Sequence, residues 1–138
     1  MAYWRSGFEW AGDIEFQTEK EWTHFWSTYR HWILTLATAC KDADALVIGT
    51  ELDKTLHHEK EWRTLIADVR KIFKGQLTYG SNWTDYQRVP FWDALDVIGI
   101  QAYFPVSKIE NPTEQDIRSG WEKHIQTLRA YSIKHNRN

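Results

Sequence analysis

The feature that most limits how this chain can fold is a repeated switch of hydrophobic period. Stretches with apolar residues at helical spacing alternate with apolar runs too short to be helices. From Glu19 to about Lys41, residues Trp22, Phe25, Trp26, Tyr29, Ile33, Leu36, Ala37 and Cys40 share one helical face. Thr18 is placed to cap this helix, and Glu21 completes a capping box. The run Ala45-Leu46-Val47-Ile48-Gly49 then predicts a strand buried on both faces. A second helix is expected from about Glu59 to Phe73, with Trp62, Leu65, Ile66, Val69 and Phe73 inward, stopping at Lys74-Gly75. Gln76 to Gly80 reads as a second strand, and Phe91 to Leu95 as a short helical connection. Asp96 to Tyr103 reads as a third strand. The last helix spans roughly Glu114 to Lys134, capped by Thr113, with Asp116 in its first turn. Its inner face is expected to be Ile117, Trp121, Ile125, Leu128 and Tyr131, while residues 1–18 read as a loop.

Strands alternating with helices at this spacing predict successive right-handed βαβ units, hence an α/β fold with a parallel sheet. Such a sheet belongs either to a doubly wound fold or to a (β/α)8 barrel. Polar and aromatic residues gather just after the strand ends, at Thr50-Glu51, Asn82-Trp83 and Tyr103-Phe104. Barrel enzymes carry their chemistry at that end. No glycine-rich phosphate loop follows any strand, so the barrel is favoured. With 138 residues the chain is read as a single domain and as part of one barrel, because a whole barrel takes about 250 residues.

Composition narrows the function. A formal charge of -2 gives no general attraction to nucleic acid or anionic membrane, and no run reaches the length of a bilayer span. The opening Met-Ala-Tyr-Trp-Arg-Ser-Gly lacks the basic start and apolar run of a signal peptide. If the natural chain extends further at its N-terminus, cytoplasmic and secreted locations both stay open. Cys40, the single cysteine, is expected to be a buried, inert thiol on the first helix. Nine Trp in one short chain is unusual. In a core they fill volume; on loops their flat faces suit the C–H patches of sugar rings, which makes carbohydrate the expected partner.

Glu51 follows Val47-Ile48-Gly49-Thr50 and so stands at a strand exit. A carboxyl group there is partly desolvated, which favours proton donation. Position alone leaves open a capping or ion-pairing role. Four segments bear on the choice: Ile48-Gly49-Thr50-Glu51-Leu52; Trp62, Leu65, Ile66, Val69 and Arg70; Leu77-Thr78-Tyr79-Gly80-Ser81-Asn82-Trp83; and the stretch from Phe91-Trp92-Asp93 through Gly99-Ile100 to Tyr103 and Pro105. In this order and spacing the chain resembles the barrels of glycoside hydrolase family 113, the β-mannanase-like group of clan A.

The resemblance implies that Glu51 is the general acid/base, at the end of what would be the fourth barrel strand, and that strands four to six are present. It further implies retaining hydrolysis with two carboxyl groups about 5–5.5 Å apart. The nucleophilic Glu of this group lies after a seventh strand, so the second carboxylate is expected to be absent from this chain, which alone would be inactive. Tyr103 would orient that nucleophile. Asn82 and Trp83 would bind substrate, and Trp4, Arg5 and Trp10 would form a sugar subsite on the 1–18 loop. Two positions depart from the pattern: Thr50 stands where many clan members have Asn before the Glu, and Gln101 where the family often has Asp.

No cofactor or metal is expected. His57-His58-Glu59 is not a zinc motif, since Trp62 stands where a second His would be needed. Asn82-Trp83-Thr84 matches a glycosylation triplet but falls inside the expected cleft. The alternative reading is a non-catalytic sugar-binding or structural relic of a hydrolase barrel. Under either reading, unpaired strand edges predict self-association or marginal stability.

Overall fold

The computed structural model describes residues 10–137. Helix α1 (Glu19–Ala39) begins at the expected capping box, Thr18 with Glu21. It is followed by β1 (Ala45–Thr50), α2 (Glu59–Ile72), β2 (Gln76–Asn82), β3 (Val97–Gln101) and α3 (Glu114–His135). Short 3-10 turns occupy Ala11–Asp13, Asp53–Thr55, Tyr86–Arg88 and Trp92–Ala94. The strands form one parallel sheet in the order β1-β2-β3.

Helices α1 and α2 cover one face of this sheet. Their apolar stripes, Trp22, Trp26, Ile33 and Ala37 on α1 and Trp62, Leu65, Ile66 and Val69 on α2, are buried against Ile48, Leu77 and Tyr79. Trp62 lies at the centre, its ring stacked on Phe91 at 5.2 Å and edge-on to Trp26 and Tyr79 at 5.2 and 5.3 Å. Gly49 allows this close packing, because a Cβ there would lie 2.8 Å from the Trp62 ring and 2.9 Å from the Tyr29 hydroxyl. Ion pairs tie the outer layer: Arg30 of α1 to Asp68 of α2 at 2.7 Å, and Arg63 of α2 to Asp93 at 2.8 Å. Arg70 pairs with Asp96, whose carboxylate also accepts the Leu77 N–H at 2.7 Å.

Four expectations need correction. Strand β1 is not buried on both faces: Ile48 is buried but Val47 is 49% exposed. Val47 pairs in register with Thr78, so both lie on the face away from α1 and α2, which nothing in the described chain covers as those helices cover the other. Cys40 is exposed rather than buried, because α1 ends at Ala39 and Cys40 leaves the helical spiral as its C-cap. Helix α3 has the expected cap of Thr113 with Asp116, but none of its residues is fully buried, and Ile117 is exposed. It is held mainly through loops, with Tyr131 edge-on to Tyr86 at 5.0 Å and the Arg137 guanidinium donating to the carbonyls of Leu95 and Asp93. Helix α2 also ends one residue early, and Phe73 turns to extended backbone and is buried.

Candidate active site

The site is built at the C-terminal end of the sheet. The pairing register of β1 on β2 shifts between Val47 and Thr50, and the next residue, Glu51, has a positive φ of 49°. Left-handed backbone at a non-glycine residue costs on the order of 1–2 kcal/mol, so the surroundings must hold it. They do so through the segment that follows. The Glu51 N–H donates to the Gly80 carbonyl at 2.8 Å, and the Leu52 N–H to the Tyr79 hydroxyl oxygen at 2.7 Å. Thr55 Oγ1 donates to the Leu52 carbonyl at 2.7 Å, while the Trp62 indole N–H is shared between Thr55 O and Oγ1 at 3.2 and 3.1 Å. The loop bearing Glu51 is therefore anchored in the core that α2 and β2 share.

This backbone turns the half-buried Glu51 side chain toward two donors. Trp10 Nε1 donates to one carboxylate oxygen at 2.7 Å, and Asn82 Nδ2 to the other at 3.3 Å. Asn82, the last residue of β2, is oriented by its own turn: its Oδ1 accepts from the Thr84 N–H at 3.0 Å and lies 2.7 Å from the Thr84 hydroxyl, whose one hydrogen it shares with Asp85, leaving its NH2 group for Glu51. Trp10 reaches the site by folding over Gly12, where a Cβ would lie 2.4 Å from the indole. Lys54 pairs with Glu15 at 2.7 Å, fastening the 51–55 loop to the segment that follows Trp10.

Other residues named from the sequence are distributed around this centre. Trp83 is half-buried and edge-on to Phe104 at 5.6 Å; Phe104 stacks on His124 of α3 at 4.5 Å and lies edge-on to Trp121 at 6.1 Å. Tyr103 lies just past β3, 74% exposed, and among the described residues its hydroxyl makes no hydrogen bond. Trp4 and Arg5 fall outside the described residues. His57 and His58 pack on the Trp22 ring at 5.7 and 4.1 Å, and burial holds His58 below the usual histidine range.

Two carboxyl groups that local sequence does not single out complete the surroundings: Asp53, which feels the charge of Glu51, and Asp85, which lies beside Asp53. Asp53 is buried, and burial, together with the charges of Asp85 and Glu51, pushes it up to about 7. Asp85 takes the Arg88 guanidinium at 2.5 Å and the Thr84 hydroxyl at 2.6 Å; despite its burial, these partners hold it below the usual carboxylate range. The spacing Glu51-x-Asp53 was visible in the sequence, but the approach of Asp85 depends on the sheet pairing.

A half-exposed carboxylate at the exit of a parallel strand, gripped by an indole and an amide, is the arrangement expected of a barrel hydrolase. The family model of Glycoside Hydrolase Family 113 matches residues 2–138. The chain belongs to this family. No curated protein sequence matches it. Among solved structures, it is similar to the family 113 β-mannanase of Alicyclobacillus acidocaldarius in complex with ManMIm. Identity is 28% and the TM-score 0.81, covering 96% of this chain and 41% of that one. It is also similar to a family 113 β-1,4-mannanase in a complex structure, at 25% identity and TM-score 0.73, covering 94% of this chain and 40% of the other. The family 113 chain thus spans well under half the length of these relatives, and its three parallel strands with flanking helices are part of a TIM barrel.

Proposed function

We propose that this chain carries the acid/base half of a retaining glycoside hydrolase site, and that the whole enzyme cleaves β-linked polysaccharide or oligosaccharide, with β-mannan the first candidate. The observation that carries this reading is the Glu51 carboxylate, held by Trp10 and Asn82 at the end of β1. In the first step Glu51 gives its proton to the glycosidic oxygen while a second carboxylate attacks the anomeric carbon. In the next, Glu51 takes a proton from the water that releases the sugar from that carboxylate. The two N–H donors fix the plane of the Glu51 carboxylate for both transfers.

Neither neighbouring acid suits the nucleophile's role. Asp53 has no accessible oxygen, and Asp85 is engaged by Arg88 and Thr84. The nucleophile is therefore assigned to a further strand of the barrel, with Tyr103 beside it, and the 138-residue chain by itself is expected to be inactive. Trp83 and Trp10 are the proposed stacking faces for sugar rings, Asn82 a polar contact, and Trp4 and Arg5 further subsite residues. β-Mannan as substrate is supported by family membership and by the mannanases to which the chain is similar.

The test is Glu51→Gln in a whole-barrel enzyme containing this sequence. General acid/base groups contribute about 10²–10⁴-fold, so hydrolysis of β-mannan is expected to fall by at least about 100-fold. Oligosaccharide binding, followed by calorimetry, should persist. Equal activity in the two forms would remove Glu51 from the mechanism.

A further inference from the structure

The loop of Glu51 holds a carboxyl group for which the acid/base chemistry has no use. Asp53 lies two residues after Glu51 with 8% of its surface exposed, and neither of its buried carboxyl oxygens has a hydrogen-bond partner. An ionised carboxylate in that state is costly enough that the group takes up a proton instead. The carboxyl group of Asp85 approaches closely enough to share one. Two carboxylates offer only acceptors, so their approach becomes a hydrogen bond only when one of them is protonated. The proton falls to Asp53, because Asp85 already has the Arg88 guanidinium and the Thr84 hydroxyl as donors.

Among the described residues, the charged and titratable groups facing Asp53 are few. From its own loop comes Glu51; from the turn after β2 come Asp85 and Arg88, whose charge opposes the other two; from β2 comes the Tyr79 hydroxyl. The Ala11–Asp13 turn packs on Asp53–Thr55 and brings Asp13, whose charge acts on Lys54.

We propose that Asp53 is a positioning residue for Glu51: a neutral carboxylic acid whose proton bridges to Asp85, tying the 51–55 loop to the 84–88 turn so that Asn82 faces Glu51. This rests on the reading of Glu51 as the acid/base. Ionisation of Asp53 would leave two carboxylates facing each other with no proton between them, and the tie between loop and turn would be lost. One carboxyl group kept neutral beside another that must cycle its proton is a recurring way of separating the roles of paired acids.

The test is an NMR titration of the 138-residue chain, observing the side-chain carboxyl carbons and two reporters bonded to Glu51, the Trp10 indole N–H and the Asn82 amide. The Asp53 carboxyl is expected to titrate near pH 7 rather than near pH 4. Both reporters should show a step that coincides with the Asp53 titration. Asp53→Asn keeps a donor toward Asp85 but cannot ionise, so that step should vanish. Asp85→Asn should shift the Asp53 titration downward. An Asp53 carboxyl titrating in the ordinary aspartate range would overturn the proposal, as would the same step surviving in Asp53→Asn. If that variant fails to fold, the wild-type Asp53 titration decides alone. None of these readouts is hydrolysis, so the Glu51→Gln assay fails or succeeds independently.

Discussion

Replacing Trp62 is expected to damage the core and the Glu51 loop together, and the two effects separate by choice of substituent. Trp62 has no exposed surface and contacts Trp26, Tyr29, Tyr79 and Phe91. A buried aromatic removes roughly 150–250 Å² from water. At about 25 cal/mol per Å² that is about 4–6 kcal/mol, consistent with the roughly 3–5 kcal/mol that such residues cost when cut to Ala. The indole N–H adds its shared bond to Thr55, a net contribution of about 1 kcal/mol, since the Thr55 carbonyl keeps the His58 N–H at 3.0 Å. Trp62→Ala should therefore cost about 4–6 kcal/mol, close to the whole stability of a small domain. Trp62→Phe, which keeps a ring but loses the donor, should cost only about 2 kcal/mol. Urea titration followed by circular dichroism measures both. Hydrogen exchange at the Glu51 and Leu52 amides should accelerate in Trp62→Phe beyond what its lost global stability explains, because Thr55 anchors that loop. A Trp62→Ala loss under about 1.5 kcal/mol with an unchanged denaturant slope would refute the view of Trp62 as the hub.

Other outcomes are as specific. The folded chain holds Asp53 up at about 7 against an ordinary 3.8, so between those values the native state binds a proton that the unfolded chain releases. The Asp53 contribution to stability is full below pH 4, declines as pH rises, and is lost above about pH 7; at 1.36 kcal/mol per pH interval, reduced for screening by water, this amounts to about 2–4 kcal/mol. Comparing wild type with Asp53→Asn in urea at pH 4 and pH 8 isolates it, and a constant difference would contradict it. Trp10→Phe removes the 2.7 Å donor to Glu51 and should lower the activity of the whole-barrel enzyme at neutral pH by about 10- to 100-fold, a charge-assisted bond contributing about 1.5–3 kcal/mol; unchanged kcat/KM would exclude that role. Both outer strands, β1 and β3, have a free edge among the described residues, and Val47 and Ile133 are exposed, so the isolated chain should self-associate. A sharp monomer peak in size-exclusion at high concentration would count against this.

Local sequence is enough to set the elements and their order. Hydrophobic period distinguishes helix from strand locally, and Thr18 and Thr113 mark helix starts through contacts three residues long. Glu51 was legible as a strand-exit carboxylate, because strand end and acid are adjacent in the chain. Period reveals which residues share a face but not whether another element covers that face, and so Val47, Cys40 and α3 are less buried than their pattern predicts. Only the tertiary structure brought Trp10 to Glu51 across 41 residues, turned Glu51 into left-handed backbone, and set Asp53 beside Asp85. The protonation of a buried acid depends on the charges and donors that surround it, and here those arrive from distant parts of the chain through the pairing of parallel strands.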